Sequence, residues 1–282
     1  MRIAKKRHIV GAAFLIAFLF WTPLEAIPAV QASPDSSSLD RLSVSYLKKS
    51  GRDFLSVVTA PAKWRRSDLL KFAALAGTGV LLYSCDRNLY DWIQKNKSPA
   101  SMDASAYISK FGNGGYLTAF LAAMYASGEL FDSPGLRKTA LLSLESFLTT
   151  SVFVLTLKVV AGRARPSSGE SAHSFDPFSL KTDHLSFPSG DAAGAFAVAT
   201  TIADQSSEFF VDVLAYSLAG LVAIYRVHDG KHWPADVFAG SALGFFVAKK
   251  ISHLNKKYPA GNYHIALQIT PQRQAFTLSL YF

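Results

Sequence analysis

The segment 139–160, TALLSLESFLTTSVFVLTLKVV, is the longest of six apolar segments in the chain and indicates a helix. Its apolar residues do not alternate with polar ones as they do in a strand. Five other segments share this character, and the breaks between them contain glycine or proline. They are residues 68–84, 115–131, 190–204, 209–225 and 235–251. The sequence therefore predicts an all-α fold, a helical bundle of about six helices.

The end of the chain has a different pattern. Large apolar residues recur at every second position at Ile265, Leu267 and Ile269, and again at Leu278 and Leu280. This spacing predicts a short C-terminal β-hairpin, within a β appendage at residues 253–282.

The beginning of the chain is typical of an exported protein. A basic start is followed by an apolar run at 9–21 and by small residues that end at Ala32. Residues 1–32 therefore have the pattern of a secretory signal peptide. The apolar run is shorter than the ~20 residues of a spanning helix, which favours a cleaved leader over a signal anchor.

The composition limits the class of protein. Of 282 residues, 50% are hydrophobic and 17% charged, and the mean hydropathy is +0.19. This excludes a disordered or fibrous chain, and we expect one dominant helical domain at 68–252 after a basic amphipathic lead-in at 33–67. Cys85 is the only cysteine, which excludes an intramolecular disulfide and a cysteine-rich zinc site. The net charge of +9 suits anionic partners.

The sequence leaves open whether the helices cross a membrane. Several segments are nearer 15 residues than the ~20 of a spanning helix, and some carry Lys71, Glu145 or Asp212. If the leader is cleaved and the first segment spans, Lys158 lies on the cytoplasmic side. If the basic stretch 41–66 is cytoplasmic, Lys158 lies outside. A third solution is an exported bundle that touches a membrane with one apolar face.

Polar clusters stand where apolar segments begin or end, at Lys158–Pro166, Ser186–Asp191 and Arg226–Asp236. Lys158 and Arg165 are seven residues apart, close to two helical turns, so both cations lie on one face. Ser189 is a natural N-cap, and the free N–H groups of a helix start bind phosphate.

His232 and Asp236 are four residues apart in the third cluster. We expect Asp236 to accept the Nδ1–H of the imidazole, which leaves Nε2 unprotonated as a nucleophilic histidine requires. Each cluster alone also fits an ordinary structural role. Their joint occurrence favours an oxyanion-binding site beside a nucleophile.

The three clusters together resemble the superfamily of type 2 phosphatidic acid phosphatases, which includes bacterial acid phosphatases and vanadium-dependent haloperoxidases. Its pattern is Lys-x6-Arg-Pro, then Pro-Ser-Gly-His, then Ser-Arg-x5-His-x3-Asp. This chain has the first motif in full, Asp191 at the end of the second and Tyr225 in place of Ser in the third. The resemblance covers residues 115–251 and marks the helical domain as phosphatase-like.

The resemblance implies a role for each matched residue. The phosphoryl oxygens are bound by Lys158, Arg165, Arg226, Ser189 and the N–H of Gly190. His232 attacks phosphorus, Asp236 orients it, and water hydrolyses the resulting phosphohistidine. No metal or cofactor is needed, and vanadate is expected to bind as a mimic of phosphate.

Asp191 departs from the superfamily at a catalytic position. The histidine there is taken to protonate the leaving oxygen, whereas aspartate has a reference pKa of ~3.9, and we expect nearby cations to lower the pKa further. His184 and His228 are candidate replacements. The aspartate can reflect natural tuning, a degenerate site or a deliberate inactivating change, and we expect reduced activity.

These residues together predict a hydrolase of phosphomonoesters or diphosphates. Lipid-linked substrates come first, because an apolar surface with basic rims suits an anionic head on an acyl or prenyl tail. A small phosphoester is the other expected partner, and no nucleic acid is expected. We place the protein in the periplasm, on a membrane, or in a membrane with its site facing the periplasm.

Three alternatives remain to the lipid phosphatase. One is a catalytically impaired homologue that binds phosphate or lipid headgroups, and another is a soluble periplasmic acid phosphatase. A vanadate-dependent haloperoxidase ranks last, because 282 residues are few for that branch and the missing histidine would weaken it.

Overall fold

The computed structural model describes residues 40–255 and the backbone of 264–270 and 275–281. The predicted signal peptide or signal anchor at 1–32 lies outside the described residues. Residues 33–39, the first part of the predicted lead-in, also lie outside them.

Eight α-helices form within the described residues. They are α1 Val44–Val58, α2 Arg66–Lys95, α3 Pro99–Ile108, α4 Gly114–Leu130, α5 Pro134–Ala161, α6 Gly190–Gln205, α7 Phe209–His228 and α8 Pro234–Asn255. All six predicted segments fall on helices, namely α2 and α4 to α8. The predicted number of about six is wrong because α1 and α3 were missed.

The two additional helices lie in polar stretches that lack a continuous apolar run. Each begins at a serine N-cap: Ser43 accepts from the N–H of Tyr46, and Ser98 accepts from the N–H of Ser101. Side-chain capping of this kind satisfies N–H groups that a helix start leaves free. Local capping therefore defines these helices more clearly than their apolar content does.

Two strands follow the helices in the region where the sequence predicted a β-hairpin. Strand β1, His264–Thr270, pairs antiparallel with β2, Ala275–Tyr281. His264 lies opposite Tyr281, and Thr270 lies opposite Ala275.

Helix α6 lies at the centre of the bundle, where small side chains allow its neighbours to approach closely. Most of its residues are buried, and it packs against α4, α5, α7 and α8. A Cβ on Gly240 of α8 would collide with the carbonyl oxygen of Ser189, and one on Gly244 would collide with that of Ala193. The two glycines therefore bring the backbones of α6 and α8 together.

The long helices run alternately between two ends of the bundle. At one end, Arg226 near the end of α7 pairs with Asp191 at the start of α6, and the N–H of Ser189 donates to the carbonyl of Asp236 on α8. At the opposite end, Lys249 of α8 pairs with Asp204 of α6. The three predicted clusters therefore meet at the first end, which we call the site end.

Three of the described helices are long and apolar enough to cross a membrane, judged by length and composition: Arg66–Lys95, Pro134–Ala161 and Phe209–His228. These three helices extend beyond the apolar segments seen in the sequence, so the length of those three segments does not argue against spanning. In α2, the most apolar stretch has no buried residue. Its exposed apolar surface fits contact with lipid.

Replacing Gly244 with alanine should destabilise the bundle, because the new methyl group would press against the backbone of α6. Overpacking of this kind costs about 1–3 kcal/mol. The matched control is Gly220→Ala in α7, where no atom lies within 4 Å of the new Cβ, so helix propensity should keep or improve stability. Thermal unfolding of both variants in detergent tests this, and equal melting temperatures would contradict the packing argument.

Candidate active site

The first cluster is positioned by the sharp end of α5. Gly162 ends the helix in the left-handed region with φ 58°, and a Cβ there would collide with the carbonyl of Asp176. Glycine adopts this conformation without steric cost. Just before the turn, Lys158 donates from Nζ to the carbonyl of Leu185 at 2.5 Å. Its Cε lies 3.8 Å from where a Cβ on Gly190 would be, so the cation lies beside the start of α6.

Arg165 follows the turn, and its backbone N–H donates to the carbonyl of Asp183 at 2.8 Å. Its Nε is buried and has no hydrogen-bond partner among the described residues. Burial lowers the pKa of Arg165, and the neighbouring Arg226 lowers it further. A buried cationic donor without a partner is costly, and a bound anion would relieve that cost.

Arg226 and Asp191 face each other at the site end. The Nε of Arg226 lies 2.9 Å from Oδ2 of Asp191, without the directionality of a hydrogen bond. The expectation that the nearby cations bring the pKa of Asp191 below its ordinary value is wrong. Burial raises this pKa, and it outweighs the opposing effect of Arg226, Lys158 and Arg165.

The start of α6 has the predicted cap. Ser189 is fully buried, and its Oγ accepts from the N–H of Ala192 at 3.4 Å. Its own N–H donates to the carbonyl of Asp236 at 2.9 Å, which links the starts of α6 and α8. The positive end of the α6 dipole, with Gly190 as first residue, therefore lies among the three cations.

His232 lies between α7 and α8 and is 3% exposed. Its Nδ1 lies 2.7 Å from the carbonyl oxygen of Ser186. A carbonyl only accepts, so Nδ1 carries the proton and Nε2 is the basic nitrogen. Burial lowers the pKa of His232 well below its usual range, and Lys158, Arg226 and Arg165 add to this. The imidazole is therefore neutral, as a nucleophile must be.

The predicted hydrogen bond between His232 and Asp236 is wrong. Asp236 accepts instead from the Oγ of Ser186 at 2.5 Å, the N–H of Trp233 at 2.9 Å and Nη1 of Arg163 at 2.6 Å. The i, i+4 spacing fails because His232 precedes the helix that holds Asp236. Asp236 does not touch the histidine among its described contacts. It acts through Ser186, whose carbonyl orients the ring, and through the N–H of Trp233, the next residue in the chain.

Arg163 and Asp86 belong to the same network and were missed in the sequence. Nη2 of Arg163 lies 2.6 Å from Oδ2 of Asp86, and Oδ1 of Asp86 accepts from the N–H of Ala235 at 2.8 Å. The side chains of Asp86, Arg163 and Asp236 are at most 1% exposed. A charge within the apolar helix α2 was the available signal, since such charges are paired when buried.

His184 and His228 are engaged elsewhere. Nδ1 of His184 lies 3.4 Å from the carbonyl of Gly162, and its Nε2 lies 3.1 Å from Glu170. His228 contacts Asp229 through Nδ1 and Ser101 through Nε2. Both ring nitrogens of each histidine therefore have partners, and the role of either as the proton donor stays a prediction.

The site end thus brings together all the residues that the sequence predicted for catalysis and phosphate binding, although Asp236 contacts different partners. A neutral, oriented imidazole lies among three cations and a helix start, which suits attack on an anionic centre. Between residues 40 and 255, no group of three or more His, Cys, Asp or Glu side chains could hold a metal ion. That catalysis needs no metal stays a prediction.

The PAP2 superfamily model matches residues 139–258, the part of the chain that contains all three clusters. The resemblance to this superfamily is therefore confirmed. We refer to residues 139–258 as the PAP2 segment. Asp86 lies outside it, so a helix beyond the match contributes to the charge network of the site.

Curated relatives match part of the chain. A lipid A 1-phosphatase of Porphyromonas gingivalis is 33% identical over 101 residues, 34% of this chain and 23% of that protein. A PA-phosphatase related-family protein of Dictyostelium discoideum is 26% identical over 125 residues, 39% of this chain and 46% of that protein. The chain thus spans less than half the length of either relative.

A solved structure has a similar fold. The crystal structure of the first transmembrane PAP2 type phosphatidylglycerolphosphate phosphatase from Bacillus subtilis superimposes with a TM-score of 0.53 at 21% identity. The match covers 66% of this chain and 96% of that chain. The PAP2 segment and the helices around it therefore share their architecture with that protein.

The lowered pKa of His232 should make the protein less stable in acid. In the unfolded chain the histidine takes up a proton below its ordinary pKa of ~6.5, whereas the folded site keeps it neutral. The free energy of unfolding should therefore fall as the pH drops below ~6.5, by up to ~1.4 kcal/mol per pH unit. His232→Asn should flatten this slope in denaturant unfolding, whereas His173→Asn, at the surface, should not. An unchanged slope in His232→Asn would contradict the buried neutral imidazole.

Proposed function

We propose that this protein is a metal-independent phosphatase that hydrolyses lipid-linked phosphomonoesters or diphosphates through a phosphohistidine. The observation that carries the proposal is the neutral imidazole of His232, oriented by Ser186, beside Lys158, Arg165 and Arg226. Two of those cations have a buried Nε without a hydrogen-bond partner among the described residues.

The reaction follows from these positions. The cations and the start of α6 bind the phosphoryl oxygens, and Nε2 of His232 attacks phosphorus while the bond to the leaving oxygen breaks. Asp191 in its acid form donates a proton to that oxygen. Water then attacks the phosphohistidine, inorganic phosphate leaves, and His232 returns to its neutral form. Arg163, Asp86 and Asp236 hold Ser186 and touch no reacting atom.

A membrane position for the site supports lipid-linked substrates. The apolar helices α2, α5 and α7 all run from the opposite end of the bundle towards the site end, and α4, α6 and α8 return between them. The start of α2 follows the basic stretch 41–66, and basic residues favour the cytoplasmic side. The site end then faces the periplasm, which is the second of the two topologies considered above.

The relatives support the same substrate class, because one is named a lipid A 1-phosphatase and a structural neighbour a phosphatidylglycerolphosphate phosphatase. A soluble acid phosphatase is less compatible with the exposed apolar surface of α2. A vanadate-dependent haloperoxidase has no further observation in its favour.

A homologue that binds phosphate without turnover is the second candidate. The ion pair between Arg226 and Asp191 favours it, because the carboxylate occupies one of the phosphate-binding cations. Phosphate release from a panel of lipid phosphates, lipid diphosphates and soluble esters, measured across pH, separates the two candidates. Release from none of them, with phosphate still bound, would favour the binding protein.

His232→Ala should abolish turnover and keep vanadate binding, because the cations remain while the nucleophile is lost. An acid-labile phosphoenzyme should be trapped in the parent protein and be absent from the variant. His173→Ala, at the surface near the site end, is the control and should behave as the parent. Turnover of His232→Ala at the parental rate would overturn the assignment.

Arg226→Lys should impair catalysis although the charge is kept, because lysine lacks the fork that binds two phosphoryl oxygens. A lost donor in a preorganised site costs roughly 2.7–4 kcal/mol, or ~10²–10³ in rate. Steady-state kinetics measure this loss, with Lys181→Arg as a control at an exposed site. Near-normal kinetics for Arg226→Lys would show that this residue does not bind the phosphoryl group.

Asp191 should make diphosphates better substrates than monoesters, because a leaving phosphate needs less protonation than an alkoxide. General acid catalysis contributes ~10²–10⁴-fold, so the rate should rise towards acid pH as Asp191 becomes protonated. The raised pKa of Asp191 moves that rise to higher pH than for an ordinary aspartate. Asp191→His should restore monoester hydrolysis near neutral pH and flatten the pH dependence.

The ratio of kcat/KM for the two substrate classes, measured in the parent and in Asp191→His, tests this assignment. An unchanged ratio would mean that another group supplies the proton. His228, the first alternative in the sequence, already has partners on both ring nitrogens.

A further inference from the structure

Helix α1 buries charged residues and exposes apolar ones, which is the reverse of an ordinary amphipathic helix. Its buried face includes the charged residues Lys49 and Asp53 together with Tyr46 and Val57. An amphipathic helix of a soluble protein turns its apolar stripe inward and its charges outward. The buried face therefore needs polar partners within the protein, and the exposed face needs an apolar environment.

The inner face is held by a polar network. The hydroxyl of Tyr46 donates to Oε2 of Glu145 at 2.9 Å, and Nζ of Lys49 lies 2.8 Å from Oδ2 of Asp53 and 3.4 Å from Glu145. Asn255 donates to the same oxygen of Asp53 at 3.1 Å. Charges buried with such partners fix the rotation of α1 about its axis. The direction in which its apolar residues point is therefore set by the fold.

The outer face is an apolar stripe formed by Val44, Leu47, Leu55 and Val58. These residues are between 45% and 68% exposed. Their spacing places them on one side of the helix at 3.6 residues per turn. Lys48 and Arg52, both exposed, form a basic edge along the stripe. Trp64, also exposed, follows α1 and precedes the apolar helix α2.

The location of α1 matches one membrane surface. Its partner Glu145 precedes Lys158 by 13 residues on α5, and its partner Asn255 follows Asp236 by 19 residues on α8. At 1.5 Å per residue these contacts lie about 20–28 Å from the site end. The hydrocarbon core of a bilayer is ~30 Å thick. If the site end lies at one membrane surface, α1 lies at the other.

We propose that α1 lies in the interface of the cytoplasmic leaflet, with the stripe of Val44, Leu47, Leu55 and Val58 in the acyl boundary and with Lys48 and Arg52 on anionic lipid headgroups. The charge of the surrounding stretch supports an anionic surface, since residues 41–66 contain seven Lys and Arg and a single acidic residue, Asp53. Interfacial tryptophan is typical of such a boundary. The inference rests on the membrane position given under the proposed function.

Spin labels on single cysteines test the depth of the stripe. In a Cys85→Ala background, which removes the only native cysteine, labels are placed by Leu47→Cys, Leu55→Cys and, as the matched control on an exposed polar position, Ser45→Cys. The full chain is reconstituted in vesicles of phosphatidylcholine and phosphatidylglycerol. Collision with oxygen reports contact with lipid, and collision with a nickel chelate reports contact with water.

The labels at 47 and 55 should collide with oxygen and be shielded from nickel, about 5–10 Å below the headgroups, whereas the label at 45 should show the reverse. Equal nickel accessibility at all three positions would place the stripe in water and overturn the proposal. Shielding from both reagents would mean that protein covers the stripe, either residues 1–39 or a second copy, and would overturn it too.

The basic edge is tested by adding Lys48→Gln and Arg52→Gln to the chain labelled at 47. The label should become shallower in vesicles that contain phosphatidylglycerol and keep its depth in pure phosphatidylcholine. If the two substitutions leave the depth unchanged in vesicles that contain phosphatidylglycerol, the part assigned to anionic headgroups is overturned. Phosphate release from the same vesicles, supplied with lipid phosphates and lipid diphosphates as substrates, separates the two proposals. Loss of the depth pattern with turnover intact refutes only the α1 inference, and the depth pattern without turnover of any of these substrates refutes only the phosphatase.

Discussion

The guanidinium of Arg163 is the buried charge on which the site end depends. It lies 2.6 Å from a carboxylate oxygen on each side, Asp86 of α2 and Asp236 of α8, and all three side chains are at most 1% exposed. Removing one partner of such a group leaves an uncompensated buried charge, which costs about 3–5 kcal/mol. Arg163 also donates to the carbonyl of Ala172, which fixes the loop after α5. One side chain thus joins two helices and the loop.

The position of His232 follows from that charge network. Because Arg163 holds Oδ1 of Asp236, its other oxygen is free to bind the hydroxyl of Ser186 and the N–H of Trp233. Ser186 contacts the ring of His232 through its carbonyl oxygen, and Trp233 is the residue that follows His232 in the chain. The carboxylate of Asp236 therefore holds Ser186 and Trp233 in place, and the carbonyl of Ser186 in turn orients the imidazole of His232. A neutral carbonyl at Nδ1 stabilises an imidazolium less than a carboxylate would, which fits an imidazole kept neutral.

The sequence allowed the helical class and the residues of the site to be predicted, but not their contacts. Continuous apolar runs indicated α5 and the five other predicted helices. By contrast, α1 and α3 begin at serine caps, and α1 also buries charged residues against distant partners. The pairing of His232 with Asp236 was wrong because residue spacing describes a helix, and Pro234 begins that helix only after the histidine. Arg163 is 73 residues from Asp236, so no local pattern reveals that it competes for the carboxylate. Long-range charge pairing was therefore the unpredictable part.

Asp191 gains a further property from its place beside Arg226. In the proposed mechanism a phosphoryl group binds the same guanidinium that now faces the carboxylate at 2.9 Å. When the substrate takes over that cation, Asp191 loses the largest of the interactions that lower its pKa, while burial and the new phosphoryl charge both raise it. Substrate binding in this mechanism therefore raises the pKa of Asp191 further, which favours its acid form at the step that needs an acid. An ionised aspartate would repel the phosphate, whereas a protonated one can donate to the leaving oxygen. The ion pair in the free protein is thus compatible with catalysis, because a phosphoryl group competes for Arg226 and its binding shifts Asp191 towards the acid form.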